Sequence, residues 1–435
     1  MKKFLTLSLL SVLLLSSCST IEENELMNPV TEENELIAPS SKYLTPEEAA
    51  EKAKTFMNIT SSKKRESRGN KEFEVKSARL IDFGKKSRSV DIPDSMFYAV
   101  DFEDGGYSIV AAERDLLNNI YFYTDEGEFS LEGSPVLELY LSESAKTMDQ
   151  APRKSNMELT DARSRAKVIP DPENPDIITG EEWINGVLCV YYYKSSESHV
   201  DPITTTKWDY DLPYNYYCPI IKGVRSYAGC SAVAIGQIAA THRYPEFFNG
   251  NNYNWDYMLS NPVHTSSYDI GAKEIAQFLY DIGSDIGLDY EEIIPSANIY
   301  QVLKGFKDLG YSNAIIKEFS SALCTLSISK GNAVYVQGFT KKMVKDEETS
   351  QEKEKKEGHA WVADGFNSIN NWIEYYRKDT GELYASYGGV NYTYLHFNIG
   401  WGGDDDGFYL CLTQGEGIQN YEFNLNNQII TDIYI

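Results

Sequence analysis

Apolar residues fall into three kinds of run along the chain. The first is unbroken: residues 4–15, preceded by Lys2 and Lys3. It is too short to span a bilayer and has the length of a signal-peptide core. The second kind is short and β-like. Phe73 and Val75, then 96–100, 107–111 and 120–123 predict strands, with a hairpin at Gly105-Gly106 and a turn at Asp125-Glu126-Gly127. The third kind has helical spacing. Thr45-Pro46-Glu47-Glu48 predicts a helix start, with Thr45 as N-cap, Pro46 in the first position and Glu48 closing a capping box. Ala49, Ala50, Ala53 and Phe56 form its apolar face. A second helical run, Ala232, Val233, Ile235, Ile238 and Ala239, follows Gly229. Residues 358–366 alternate and read as a strand that closes at Asp364-Gly365.

These runs divide the chain into a leader at 1–17, a polar acidic tether at 18–42, a small α+β domain at 43–147, a linker at 148–199 and a larger globular part at 200–435. The linker reading rests on Arg153, Lys154, Arg163, Arg165 and Lys167, followed by Pro170, Pro172 and Pro175. Exposed basic residues beside prolines suit proteolytic nicking. The leader ends in Leu15-Ser16-Ser17-Cys18, which resembles a bacterial lipobox, with Cys18 as the lipidated residue of the mature N-terminus. Ser19, rather than Asp, argues against retention on an inner membrane. Glu22, Glu23 and Glu25 resemble surface-export signals, or are a solvated tether. The expectation is an exported chain, anchored through lipid on Cys18 at a bacterial outer membrane or cell surface. Residues 341–357 are almost all charged and polar, and read as a surface loop or a solvated hairpin just before His359.

Composition narrows the function classes. The chain has 435 residues, 42% hydrophobic and 24% charged, which excludes pure disorder. Its formal charge of -25 lacks the basic footprint of a nucleic-acid binder. Six cysteines show neither CxxC pairs nor zinc-type spacing. With Cys18 assigned to lipid, an odd number remains, so at least one thiol is left unpaired.

Cys230 is the candidate for chemistry. Gly229 turns the chain and Cys230 then opens the apolar helix, where unsatisfied N–H groups and the positive dipole end favour a thiolate. Its own N–H can help hold an oxyanion. A small buried cysteine at the start of a core helix is the plainer alternative. A thiol nucleophile needs a base, and His359, at the head of the 358–366 strand, is placed to be one. In His396-Phe397-Asn398-Ile399-Gly400-Trp401-Gly402-Gly403, Asn398 can accept the second ring N–H of His359, with Trp401 covering that contact.

Taken in order, Gly-Cys-(small)-Gln-Ile, Gly-His-Ala-x-Val-x-Asp-Gly and Asn-x-Gly-Trp-Gly-Gly resemble the streptopain family of papain-fold cysteine peptidases. Lys207-Trp208, residues 213–219, Tyr244-Pro245, residues 254–258 and residues 331–335 support the likeness. Residues 106–113 and 123–127 resemble the family's propeptide. The resemblance covers about 43–140 and 200–415. It implies an α+β fold: a papain-like two-lobed peptidase domain behind a small α+β prodomain. It implies hydrolysis of protein or peptide substrates through an acyl-enzyme, with Cys230 as nucleophile and His359 as base. Asn398 and Trp401 would be supporting residues. It further implies a zymogen in which the prodomain is an intramolecular inhibitor, and no metal or organic cofactor.

Two positions depart from the family pattern. Tyr210 stands where a Gln oxyanion donor is usual; a phenol O–H still donates one hydrogen bond. Ile399 stands where Trp usually follows the Asn. These departures keep a second reading open, a catalytically degenerate fold serving as a surface binding module. Acyl transfer to an amine is a third.

Overall fold

The computed structural model describes residues 42–60, 72–83, 96–153 apart from 117, 133 and 152, 169–170, 178–290, 295–345, 352–415 apart from 389, 421–422 and 427–435. The leader, Cys18 and the tether as far as residue 41 lie outside the described residues.

Local signals build the N-terminal domain as expected. The helix Pro46–Thr60 opens with the capping box: Thr45 N–H donates to Glu48 Oε2 at 2.7 Å, and Glu48 N–H to Thr45 Oγ1 at 3.2 Å. Ala49, Ala53 and Met57 are buried on one face of an antiparallel sheet. Its strands are Val75–Leu80, Phe97–Phe102, Tyr107–Ala111 and Ile120–Thr124. Gly105 and Gly106 turn the middle hairpin at φ of +88° and +86°, a region other residues enter at a cost. A second helix, Pro135–Thr147, covers the opposite face with Leu137, Tyr140 and Leu141.

The sheet continues past the domain boundary. Ile120–Thr124 pairs with Gly407–Gly415, setting Tyr123 opposite Phe408 and Phe122 opposite Tyr409. From there it runs through Val390–Asn398, Glu352–Arg377, Val334–Lys345 and Gln428–Thr431 to Ile315–Glu318. Helices Cys230–His242 and Ile299–Asp308 pack on this sheet, and Ile270–Asp285 packs on Cys230–His242, around Trp208, Ile235, Phe278, Leu279 and Phe306. The architecture is α+β, a helical lobe against a sheet lobe, preceded by the small domain.

Three expectations need correction. The first is the linker. Residues Ile178–Ile184 and Val187–Val200 are a hairpin, and the second strand pairs with Glu352–Arg377 from Cys189 opposite Arg377 to Val200 opposite Phe366. Its apolar residues, Cys189 and Tyr191, bury against Ile373 and Tyr375 from the partner strand. That partner is remote in sequence, so composition alone did not show it. The second is Asp364-Gly365, which does not end a strand. The ladder shifts register between Ala363 and Gly365, and the strand continues to Arg377. This is a bulge, and it rotates Asp364 inward. The third is the charged stretch at 341–357. Its described part is paired, Lys341 opposite Lys356 to Lys345 opposite Glu352, so the hairpin reading holds over the loop.

The alternation expected at 358–366 is present in side-chain direction and absent in exposure, because both faces of this strand are covered. Ala360 and Val362 face the helical lobe, while Trp361 and Ala363 face the core shared with the N-terminal domain. Central strands lose the half-buried pattern for this reason.

Candidate active site

Cys230 is the first residue of its helix. Gly229 precedes it at φ +93°, a conformation that favours glycine, and a β-carbon there would lie 2.7 Å from Leu288 Cδ1, which would have to shift. The next ten residues, Ser231 to Ala240, are buried, consistent with a helix apolar on nearly every face. Cys230 carries a free, half-buried thiol. Burial pushes this thiol above its ordinary range. The main-chain N–H groups of Ala360, Ser231 and Cys230 itself, with the Ser231 hydroxyl, pull it back down. The contact with Ala360 places the sulfur beside the strand residue that follows His359.

His359 sits opposite Gly338 in the central pair of strands. Its Nε2 is 2.9 Å from the Ile399 carbonyl. A carbonyl only accepts, so Nε2 carries the proton and Nδ1 holds the lone pair of a base. Trp401 lies 5.0 Å from the imidazole, centroid to centroid, and Trp361 stacks at 6.0 Å. Burial lowers the imidazole pKa to about 4, with the Ile399 carbonyl opposing.

Asn398 is not on the ring. Its Oδ1 accepts from Gln237 Nε2 at 2.8 Å and from Gly400 N–H at 3.2 Å. Its Nδ2 donates to the Thr206 carbonyl at 2.7 Å and to Thr204 Oγ1 at 3.3 Å. This corrects the expected Asn398–His359 contact. Every polar atom of the buried amide is taken by the strand-to-helix junction, and the next residue's carbonyl takes the ring instead. The side chain at 399 is accordingly core filler: Ile399 is buried among Phe397, Trp361 and Tyr409.

Tyr210 is half-buried, with its ring 4.6 Å from Tyr227 and 6.2 Å from Trp401. It lies close enough to Cys230 for the thiol's charge to act on it; burial is the larger of the effects that raise the phenol pKa, so the hydroxyl stays a proton donor.

Sequence reasoning missed the polar network behind the site. Gln237 accepts from Thr206 Oγ1 at 3.0 Å and from Trp208 N–H at 3.3 Å, tying the segment before the helix to Asn398. Asp364 accepts from Thr204 N–H at 3.1 Å and from the Thr204 hydroxyl, and His396 Nδ1 lies 2.6 Å from its other oxygen. A glutamine inside an otherwise apolar helix was the available signal, since a buried amide must find partners. A cavity of about 830 Å³ lies behind the Trp401 loop, lined among others by Glu126, Ser134, Lys207, His396, Asn398 and Asp405.

Residues 208–409 match the model of the Peptidase C10 family. Streptopain of Streptococcus pyogenes is 22% identical over 94% of this chain and 92% of its own length. The thiol protease/hemagglutinin PrtT of Porphyromonas gingivalis is 22% identical over 55% of this chain and 27% of its own. Among solved structures, a prointerpain A fragment of Prevotella intermedia is 17% identical, with a TM-score of 0.49, covering 83% of this chain and 99% of the fragment. Active interpain A from the same organism is 20% identical, with a TM-score of 0.38, over 54% and 95%.

Proposed function

We propose, from the match of residues 208–409 to the Peptidase C10 family and the likeness to streptopain, that this cysteine peptidase is a lipid-anchored endopeptidase made as a zymogen and working through Cys230 and His359. The observation that carries the residue assignment is the meeting of two elements. A thiol at the N-terminus of a buried helix accepts a hydrogen bond from the residue after a histidine whose tautomer is set by the Ile399 carbonyl.

The chemistry follows from these groups. His359 Nδ1 takes the thiol proton, and the thiolate attacks the scissile carbonyl carbon. The developing oxyanion is met by the Cys230 N–H and the Tyr210 hydroxyl. Collapse forms a thioester and breaks the C–N bond, with the imidazolium giving its proton to the leaving amine. Water, deprotonated by His359, then releases the carboxylate product and restores the thiol.

Latency of the intact chain is supported by the N-terminal domain's continuity with the peptidase sheet. Activation would begin with a cut among the basic residues of 154–167 and finish when the N-terminal domain is removed from the shared sheet. Anchoring rests on the 15–18 sequence alone.

The test treats the full chain with trace trypsin, labels it with a thiol-directed epoxide, maps the adduct by mass spectrometry and follows casein digestion, with Cys230→Ala as control. Labelling at Cys230 with casein cleavage is expected. Absence of preferential labelling after a verified cut would leave only a binding module. Anchoring predicts radiolabelled fatty acid on the wild type and none on Cys18→Ala.

A further inference from the structure

The carbonyl that holds His359 is itself held twice. The peptide joining Ile399 to Gly400 carries the accepting oxygen, and its N–H, on Gly400, donates to Asn398 Oδ1 at 3.2 Å. The preceding N–H, on Ile399, donates to Asp406 Oδ1 at 2.7 Å. Asn398 is anchored to the helical lobe through Gln237. Asp406 supplies the other fixed point, from the far end of the loop.

That loop is fixed on its outer side by Gly402 N–H donating to the Trp208 carbonyl at 3.2 Å and Tyr409 Oη donating to the Asp405 carbonyl at 2.7 Å. Gly400, Gly402 and Gly403 have φ of +80°, +67° and +104°, and Asp405 has +61°. Glycine-rich backbone has many conformations to lose, so its shape must be set by contacts. Within the loop the main chain bonds from Asp404 N–H to the Trp401 carbonyl at 3.0 Å and from Asp406 N–H to the Gly403 carbonyl at 3.3 Å. The Asp406 carboxyl closes the loop onto its own first residue.

We infer that Asp406 is a positioning residue for the peptidase reaction, its carboxyl oxygen pinning the Ile399 main chain so that the Ile399 carbonyl stays on His359 Nε2. The inference rests on the Cys230–His359 reading above. Asp406 is faced by His396 and Asp364 from the two sheet strands and by Lys207 from the segment entering the helical lobe. Burial is the main reason its carboxyl rises to about 7. The role needs an acceptor oxygen, which both protonation states retain, so asparagine should serve and alanine should not.

The experiment uses the full chain after trypsin treatment, with Asp406→Ala, Asp406→Asn and His359→Ala. Readouts are kcat and KM on a fluorogenic peptide and the pH profile of iodoacetamide modification at Cys230. Asp406→Ala should lower kcat by about 10- to 100-fold with KM nearly constant, the mark of an interaction used in the transition state. Its alkylation profile should move away from that of wild type, because a loosened imidazole no longer supports the thiolate. Asp406→Asn should restore both to near wild type, which a structural need for the negative charge would not allow. Wild-type kcat and profile in a folded Asp406→Ala, or an Asp406→Asn as slow as Asp406→Ala, would overturn the inference. If Asp406→Ala does not fold, Asp406→Ser takes its place, with its oxygen set too far back to reach Ile399 N–H and the same two outcomes. His359→Ala separates the premises: wild-type cleavage in that variant refutes the dyad itself, whatever Asp406 does.

Discussion

At the scale of single residues, the site works by what main-chain groups do to two side chains. The Ile399 carbonyl selects the His359 tautomer, and helix and strand N–H groups collect around Cys230. The depressed His359 pKa has a consequence for stability. Its ordinary value is 6.5 and its folded value about 4. As pH falls below 6.5 the unfolded chain takes the proton first, so this group's contribution is complete above 6.5 and is lost as pH drops through 4. His359→Phe should flatten that part of the profile between pH 7.5 and 4.5, measured by urea unfolding at each pH. Tyr210 makes a second prediction. If its hydroxyl meets the oxyanion, Tyr210→Phe should cost roughly a hundredfold in kcat with KM almost unchanged. Steady-state kinetics on a small peptide decides it, and an unaltered kcat would remove Tyr210 from the mechanism.

At the scale of elements, the Cys230 helix depends on how it begins. Gly229 combines a positive φ with a 2.7 Å approach of its absent β-carbon to Leu288. Gly229→Ala should destabilise the protein by about 1–3 kcal/mol through backbone strain plus this clash. Adding Leu288→Ala should remove only the clash, so a thermal-denaturation series on the two single variants and the double variant separates the terms. A full rescue would show that φ at 229 is not strained. The strand carrying His359 teaches a different lesson. Asp364-Gly365 looks like a turn signal, yet the chain runs on through a bulge. A β-carbon on Gly365 would lie 3.0 Å from His396 Cβ and from the Val200 carbonyl. The glycine therefore serves close approach of three strands, and the aspartate is turned in to hold His396 and Thr204.

For the whole molecule, the N-terminal domain is an extension of the peptidase sheet. Its last strand pairs with Gly407–Gly415, and Tyr123 stacks on Phe408 at 4.8 Å. Tyr140 Oη donates to the Leu410 carbonyl at 3.0 Å, and Asn367 Nδ2 to Tyr123 Oη at 3.1 Å. Phe122 fills the space above Gly407, where a β-carbon would lie 2.4 Å from the ring. Lys207 pairs with Glu126 across the same boundary, and Asp405 receives Leu137 N–H at the start of the second helix. A shared apolar core does not separate because one linker is cut. After cleavage within 154–177 the two pieces should co-elute on size exclusion, and separate in denaturant. Phe122→Ala, which removes about 3–5 kcal/mol of packing, should weaken that association measurably. Immediate separation of the wild-type pieces would show that the boundary is held mainly by the linker.

What the sequence determined by itself was local. The capping box at Thr45, the glycine hairpin at 105–106 and the helix opening at Cys230 each follow from a few neighbouring residues, because turns, caps and periodicity are short-range physics, whereas His359, expected at the head of a strand, lies inside the strand Glu352–Arg377. The family resemblance came from the same short segments. What only the tertiary structure decided depended on partners far apart in the chain. The 187–200 stretch became a strand because Glu352–Arg377 was there to pair with it. Asn398 left His359 because Gln237 and Thr206 satisfied its buried amide more completely than an imidazole N–H can. The ring passed to the Ile399 carbonyl, and control of that carbonyl to Asp406. A buried polar group is held by whichever donors and acceptors the fold brings within about 3 Å, and that choice is made by packing, which spacing along the chain does not encode.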